Sequence, residues 1–102
     1  MLKVSKQQGQ RKTVLRIEGR LVTPWTTELE AAWTDIAKTL GDRELLLDLR
    51  GVIFVDQTGT AILKQIVHSA NASLLADSPL TRHFVEQVRQ FEPVQQQGRK
   101  YQ

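Results

Sequence analysis

The stretch that decides the fold is LLLDLRGVIFVDQTG, residues 45–59, in the middle of the chain. Two apolar runs, residues 45–47 and residues 52–55, stand on either side of Gly51. Continuous rather than alternating apolar residues are typical of a strand covered on both faces, as at the centre of a partly parallel sheet. A polar turn, residues 56–60, leads into apolar residues at helical spacing: Ala61, Ile62, Leu63, Ile66, Val67 and Ala70. The stretch therefore predicts a core strand that passes directly into a helix.

Before this stretch the sequence predicts a β-hairpin. Residues 2–7 and 13–18 read as two strands joined by a tight turn. In the second strand apolar and charged residues alternate, so Leu15 and Ile17 point to the same side. Gly19 is expected to end this strand, because glycine weakens a strand interior.

A first helix is predicted between the hairpin and the core strand. Thr23-Pro24 offers an N-cap side chain followed by the proline that suits a first helical turn. Gly41 supplies a left-handed stop at the other end. Between these signals, apolar residues recur at helical spacing: Leu29, Ala32, Trp33, Ile36, Ala37 and Leu40.

After the core strand and its helix, one more strand and one more helix are predicted. Residues 73–76 form the strand, and Ser78-Pro79 repeats the cap-plus-proline signal before a helix that carries Leu80, Phe84, Val85 and Val88. The element order is ββαβαβα. Residues 1–91 are expected to form a single α/β domain, and residues 92–102, rich in glutamine, are expected to form a polar tail.

Composition excludes several classes of protein. A chain of 102 residues with 40% hydrophobic residues and no cysteine suits one reduced, cytoplasmic domain without disulfides or thiolate metal sites. Its N-terminus turns polar at once, so neither a signal peptide nor a membrane span is expected.

The net charge of +3 comes from basic residues that form no stripe interleaved with aromatics, which favours a solvated surface. Nucleic-acid binding through the basic first two strands is the alternative.

No enzyme, cofactor or metal is predicted from the residues. The sequence has no nucleophile elbow, no phosphate-cradling glycine loop and no cluster of metal ligands. His68 and His83 stand at no catalytic spacing from a carboxylate or a serine, and each is expected to be a surface or half-buried histidine. Trp25, beside the start of the first helix, is a better candidate for contact with a partner.

The decisive stretch and the element order resemble the STAS family, which includes the bacterial anti-sigma factor antagonists. The resemblance rests on Asp48-Leu49, the apolar run, then Asp56, Thr58, Gly59 and Leu63, together with Gly19-Arg20-Leu21 and Leu74-Leu75-Ala76. It covers nearly the whole chain to residue 91. It implies a STAS-like α/β fold, a mixed sheet of four to five strands flanked by three to four helices.

The same resemblance implies a function. Thr58 occupies the position that a partner kinase phosphorylates in the antagonists, and the partner would be a kinase-like anti-sigma factor. The implied docking surface comprises Leu21, Val22, Thr23, Trp25, Asp56, Gln57, Thr58, Gly59 and Thr60. Two residues depart from the family pattern: Val22 stands where many members have Asp, and Gln57 where many have a small hydroxyl residue.

Interpretations that need no phosphorylation stay open from the sequence alone. Thr58 is suited to be an N-cap or first-turn residue, and Asp56 to start the helix, without any partner. A STAS domain can also serve as an unphosphorylated scaffold, or as a subunit of a stress-signalling or lipid-transport ABC complex. Assembly into a homodimer is a further expectation that the sequence leaves open.

Overall fold

The computed structural model describes residues 2–89. It contains four strands and three helices in the predicted order ββαβαβα: β1 (Leu2–Gln8), β2 (Lys12–Leu21), α1 (Thr26–Thr39), β3 (Glu44–Val55), α2 (Gln57–Ala70), β4 (Ser73–Leu75) and α3 (Pro79–Arg89). The strands form one mixed sheet in the order β1-β2-β3-β4. The predicted polar tail, residues 92–102, and residues 90–91 lie outside the described residues.

The sheet combines a hairpin with two parallel crossovers. β1 and β2 pair antiparallel over seven residue pairs, as the sequence predicts. β3 pairs parallel with β2 and with β4, so the chain crosses back through α1 and then through α2. Such crossovers are right-handed in almost all proteins, and because both advance across the sheet in the same direction they place α1 and α2 on the same face.

The hydrophobic core lies between that face and the helices. β2, β3, α1 and α2 each contribute fully buried side chains to this core: Leu15, Ile17, Leu47, Leu49, Leu29, Ile36, Leu63 and Ile66. α3 adds Phe84 and Val88, which are 7% and 2% exposed, to the same cluster. The core is therefore continuous from the hairpin to the last helix.

The expectation that β3 is covered on both faces is wrong for residues 2–89. Leu45, Leu47 and Leu49 point into the core. On the opposite face Asp48 is buried and Leu46 is half-buried, but Arg50 is exposed. β3 is nevertheless central and parallel to both neighbours. Three consecutive leucines predict burial on both faces, since the middle one must point to the side opposite its two neighbours. In the structure Leu46 does point away from the helices, but it is only half-buried there.

Two predicted element boundaries are also wrong. β2 continues through Gly19 to Leu21, because Gly19 adopts a φ of 98° and two shifts of register absorb the irregularity. α1 begins at Thr26 rather than at Thr23-Pro24, and Trp25 occupies the N-cap without a side-chain cap. The Thr23 N–H donates instead to the Asp56 carboxylate.

Other predicted helix ends are confirmed. Gly41, with a φ of 58°, follows α1 in the left-handed region. The Ser78 hydroxyl oxygen accepts the Thr81 N–H at 3.1 Å and caps α3. Within residues 2–89 the helices are too short or too polar to cross a bilayer.

Candidate functional site

The candidate site lies where β2 and β3 end. Parallel strands bring their carboxyl ends to the same edge of a sheet, and here Leu21 pairs with Val55 in the last step of the ladder. The segment after β2 and the start of α2 therefore become neighbours, although they are far apart in sequence. This edge contains all nine residues of the docking surface expected from the sequence.

Asp56 joins the two segments. Its Oδ1 accepts the Gly59 N–H at 2.7 Å, which caps α2, and its Oδ2 accepts the Thr23 N–H at 2.9 Å. Its own N–H donates to the Leu21 carbonyl at 3.1 Å. The amide of Thr23, and after it that of Gly59, holds the pKa of the Asp56 carboxyl below its usual range, because both stabilise the ionised form. The interpretation of Asp56 as a helix start is confirmed.

Gly59 allows the close approach of α2 to β2. A Cβ built on Gly59 would lie 2.6 Å from the Leu21 carbonyl oxygen and 2.9 Å from Val55 Cγ1. The first contact is with backbone, which cannot rotate away. A residue without a side chain is therefore required at this position of the helix.

Thr58 is exposed and lies in the first turn of α2, directly before Gly59. It is not the N-cap, since Asp56 has that role, so the first-turn interpretation is the correct one of the two. First-turn N–H groups and the helix dipole favour negative charge at such a position. Thr58 is thus an exposed residue at a position where an added anion is locally stabilised.

The other expected docking residues divide into exposed and buried positions. Leu21 and Gly59 are buried, so they support the surface and present no side chain to it. The remaining residues are exposed or half-buried, and we call them the rim surface: Val22, Thr23, Trp25, Asp56, Gln57, Thr58 and Thr60. Trp25 is its largest side chain and is 39% exposed. Asp56 is its one ionised side chain.

Comparison with solved structures identifies the architecture. An anti-sigma factor antagonist from Mycobacterium paratuberculosis superposes with a TM-score of 0.73, covering 84% of this chain and 76% of that chain at 19% identity. The chain has the STAS fold. SpoIIAA, an anti-sigma factor antagonist solved in its unphosphorylated form, gives a TM-score of 0.58 at 17% identity, with 89% of this chain and 84% of that chain covered.

A third similar structure is described as a STAS domain. The STAS domain of an anti-sigma factor antagonist from Rhodobacter sphaeroides gives a TM-score of 0.55 at 16% identity, covering 74% of this chain and 84% of that chain. No protein-family model and no curated protein sequence matches the chain. The likeness is thus one of three-dimensional structure, which confirms the predicted STAS-like α/β fold.

Within this STAS fold, sequence reasoning missed an apolar pair on β3. Ile53 and Phe54 are 57% and 46% exposed, although they belong to the run expected to be covered. The register moves from Gly19 opposite Val52 to Arg20 opposite Phe54, so Ile53 is skipped in the pairing. The Arg20 guanidinium lies 5.5 Å from the centre of the Phe54 ring. The glycine at position 19 was the available signal for this irregularity.

One cluster of charged residues on the sheet of this STAS fold is centred on Asp48. Asp48 is 2% exposed although it faces away from the helices. Arg50 donates to it through Nε and Nη2, each at 3.0 Å, and Arg16 Nε donates at 3.2 Å. The hydrogen bonds from Arg50 lower the pKa of Asp48 to about 2, against the opposing effect of burial. Lys6 pairs with Asp35 of α1. Of the five basic residues in β1 and β2, Lys6 and Arg16 thus have carboxylate partners.

Proposed function

We propose that this chain is a regulatory binding module that docks onto a kinase-like anti-sigma factor through its rim surface and is released when Thr58 is phosphorylated. The observation that carries the proposal is the exposed Thr58 on the first turn of α2, in a fold shared with anti-sigma factor antagonists. The proposal places the protein in the bacterial cytoplasm, in the regulation of transcription, as a binding partner and not as an enzyme.

The rim surface has the character of a docking site. An exposed tryptophan supplies a large, rigid contact, and tryptophan is enriched among residues that dominate binding energy. The side chains around Trp25 are mostly uncharged, so a partner can cover them without desolvating many ions. Asp56 accepts hydrogen bonds from Thr23, in the segment between β2 and α1, and from Gly59 of α2. These two bonds hold the two segments together, so the rim surface is pre-organised before a partner binds.

Phosphorylation of Thr58 would change docking more than folding. A phosphate adds roughly −1.5 to −2 charges and three acceptor oxygens. On the free protein this charge is solvated and lies at a helix N-terminus, where it is tolerated. Beneath a docked partner it would be buried next to Asp56, and two negative charges in one interface oppose binding. The hydroxyl is therefore suited to be a release switch.

Thr58→Glu tests the switch. The tagged protein is used to capture its partner from native cytosol, the partner is identified by mass spectrometry, and affinities are then measured by calorimetry. An unpaired charge in an interface costs about 2–5 kcal/mol, so we expect the dissociation constant to rise about thirtyfold or more. Gln65→Glu, on an exposed residue farther along α2, is the matched control and is expected to leave affinity unchanged.

The result separates this proposal from a constitutive scaffold. If Thr58→Glu binds as tightly as the unaltered protein while its circular dichroism is unchanged, phosphorylation does not control docking. The Gln57 departure from the family pattern favours the scaffold in that case, and no phosphopeptide containing Thr58 should then be found. Thr58→Ala is expected to bind normally under both functions but to resist release by the kinase only under the first.

A further inference from the structure

One edge of the sheet is a long, regular strand without a neighbour among residues 2–89. β1 forms this edge and pairs with β2 in seven consecutive steps, with no shift of register. Residues 2–8 contain no proline and no glycine. By contrast, β4 at the other edge has only three residues. Alternate residues of β1 direct N–H and C=O groups away from β2, which makes the strand a template for another strand.

We propose that this edge is a homodimer interface, in which β1 of two copies pairs antiparallel about a two-fold axis at Ser5 and the two sheets become continuous. A two-fold interface is self-complementary, so the same strand supplies both sides. The proposal is independent of the rim surface and of phosphorylation. It rests on the edge position of β1 and on the order of its side chains.

The order of side chains selects this one register. An axis perpendicular to the sheet brings residues of the same face opposite each other, and centring it on Ser5 aligns all seven residues of β1. The opposed pairs are Leu2 with Gln8, Lys3 with Gln7, Val4 with Lys6, and Ser5 with Ser5 of the second copy. No lysine lies opposite a lysine.

Neighbouring registers are worse for electrostatic reasons or for length. An axis at Lys3 or at Lys6 places that lysine opposite its own copy, and like charges directly opposed destabilise a strand pair. An axis at Val4 avoids the repulsion but aligns only residues 2–6. The two lysines, which normally discourage edge pairing, thus exclude two of the alternatives and permit the one centred on Ser5.

The remaining charge on the helix side of the edge is already compensated. Lys6 forms an ion pair with Asp35 of α1, and Gln8 donates to the Thr39 hydroxyl at 3.4 Å. On the opposite face, Lys3 has the neutral Gln7 as its facing residue in the second copy. Gln7 lies opposite Val14 within its own sheet and is exposed, so a charge introduced there has no charged residue directly facing it on β2.

Substitutions at Gln7 test the register in both directions. Sedimentation equilibrium over a range of protein concentrations is expected to show a reversible monomer–dimer equilibrium. Gln7→Glu places a carboxylate opposite Lys3 twice in each dimer, and Gln7→Lys places a second cation there. Two such cross-strand charge pairs change in each dimer, so we expect the dissociation constant to fall about fivefold with Gln7→Glu and to rise about fivefold with Gln7→Lys.

Gln65→Glu and Gln65→Lys on α2 carry the same charge changes away from β1 and are expected to leave the dissociation constant unaltered. Thermal unfolding checks that each variant keeps its fold. A protein that stays monomeric at all concentrations, even as Gln7→Glu, would overturn the proposal. A dimer whose dissociation constant responds equally to changes at Gln7 and at Gln65 would also overturn it, because the interface would then lie elsewhere.

Discussion

Asp56 performs two tasks at once, and the two are separable by substitution. One carboxylate oxygen caps α2 through Gly59, and the other holds Thr23, which lies 33 positions away in sequence. The cap is local to the helix, whereas the bond to Thr23 fixes the shape of the rim surface. The stability of the helix start and the order of the rim surface therefore depend on the same side chain.

Substitution of Asp56 is expected to give a graded loss of stability. Asp56→Ala removes both bonds and should lower the free energy of unfolding by about 1–2 kcal/mol. Asp56→Asn should cost less, because asparagine is a good N-cap and its single acceptor oxygen can still bind Gly59 while the bond to Thr23 is lost. Urea unfolding at neutral pH measures both changes.

Asp42 provides the control for this series, since it is exposed in the turn after α1. Asp42→Ala is expected to change the free energy of unfolding by less than about 0.5 kcal/mol. Equal losses at Asp42 and Asp56 would show that the two hydrogen bonds of Asp56 contribute nothing to stability.

At the scale of whole elements, the packing of α2 against the end of β2 requires Gly59. In an exposed helix, alanine in place of glycine stabilises by about 1 kcal/mol. Here the added methyl group would meet the Leu21 carbonyl oxygen at 2.6 Å, so we expect Gly59→Ala to destabilise by about 1–3 kcal/mol. The sign of the change distinguishes close packing from helix propensity.

Thermal or urea unfolding of Gly59→Ala is compared with that of Gln65→Ala, an exposed position of the same helix. The latter is expected to be neutral or slightly stabilising. A stabilised Gly59→Ala protein would mean that α2 can move away from β2 without loss, and the rim surface would then be less fixed than the contacts at Gly59 indicate.

Which elements could be predicted from the sequence depended on how local their signals were. The β3–α2 unit and the caps at Asp56 and Ser78 follow from neighbouring residues, and the structure confirms them. The predicted start of α1 was wrong because the Thr23 N–H donates a hydrogen bond to Asp56, a tertiary contact with no signal in the neighbouring sequence. The end of β2 was wrong because pairing with β3 carries the strand through Gly19.

The candidate site was predicted as a set of residues but not as a geometry. By resemblance, the sequence predicted one docking surface from four residues between positions 21 and 25 and from residues 56–60, and the parallel ladder explains why the two segments meet. It could not show that Leu21 is buried, since an apolar residue at the end of a strand is found in either environment. Whether this surface binds an anti-sigma factor stays a prediction.

For the whole molecule, acidity should act mainly through carboxylates that are held ionised by their neighbours. Asp48 is the most enclosed of them, with two guanidinium groups that are themselves about half exposed. Asp56 is the second, held by backbone amides at the rim surface. Both groups have a lowered pKa, so both favour the folded state only while they are ionised.

The pH dependence of stability follows from the sign of these shifts. The pKa of Asp48 is about 2 in the folded protein and roughly 3.9 in an unfolded chain, so between these values the unfolded chain binds more protons. The free energy of unfolding should therefore be nearly constant from neutral pH to about pH 5 and should fall as the pH drops from about 4 to about 2. Asp48→Asn should be less stable at neutral pH and show a shallower fall, so that its curve approaches that of the unaltered protein near pH 2.

Urea unfolding at a series of pH values measures both curves, with Asp42→Asn as the control. Parallel curves for Asp48→Asn and the unaltered protein would show that the guanidinium groups of Arg16 and Arg50 do not stabilise the fold through this carboxylate.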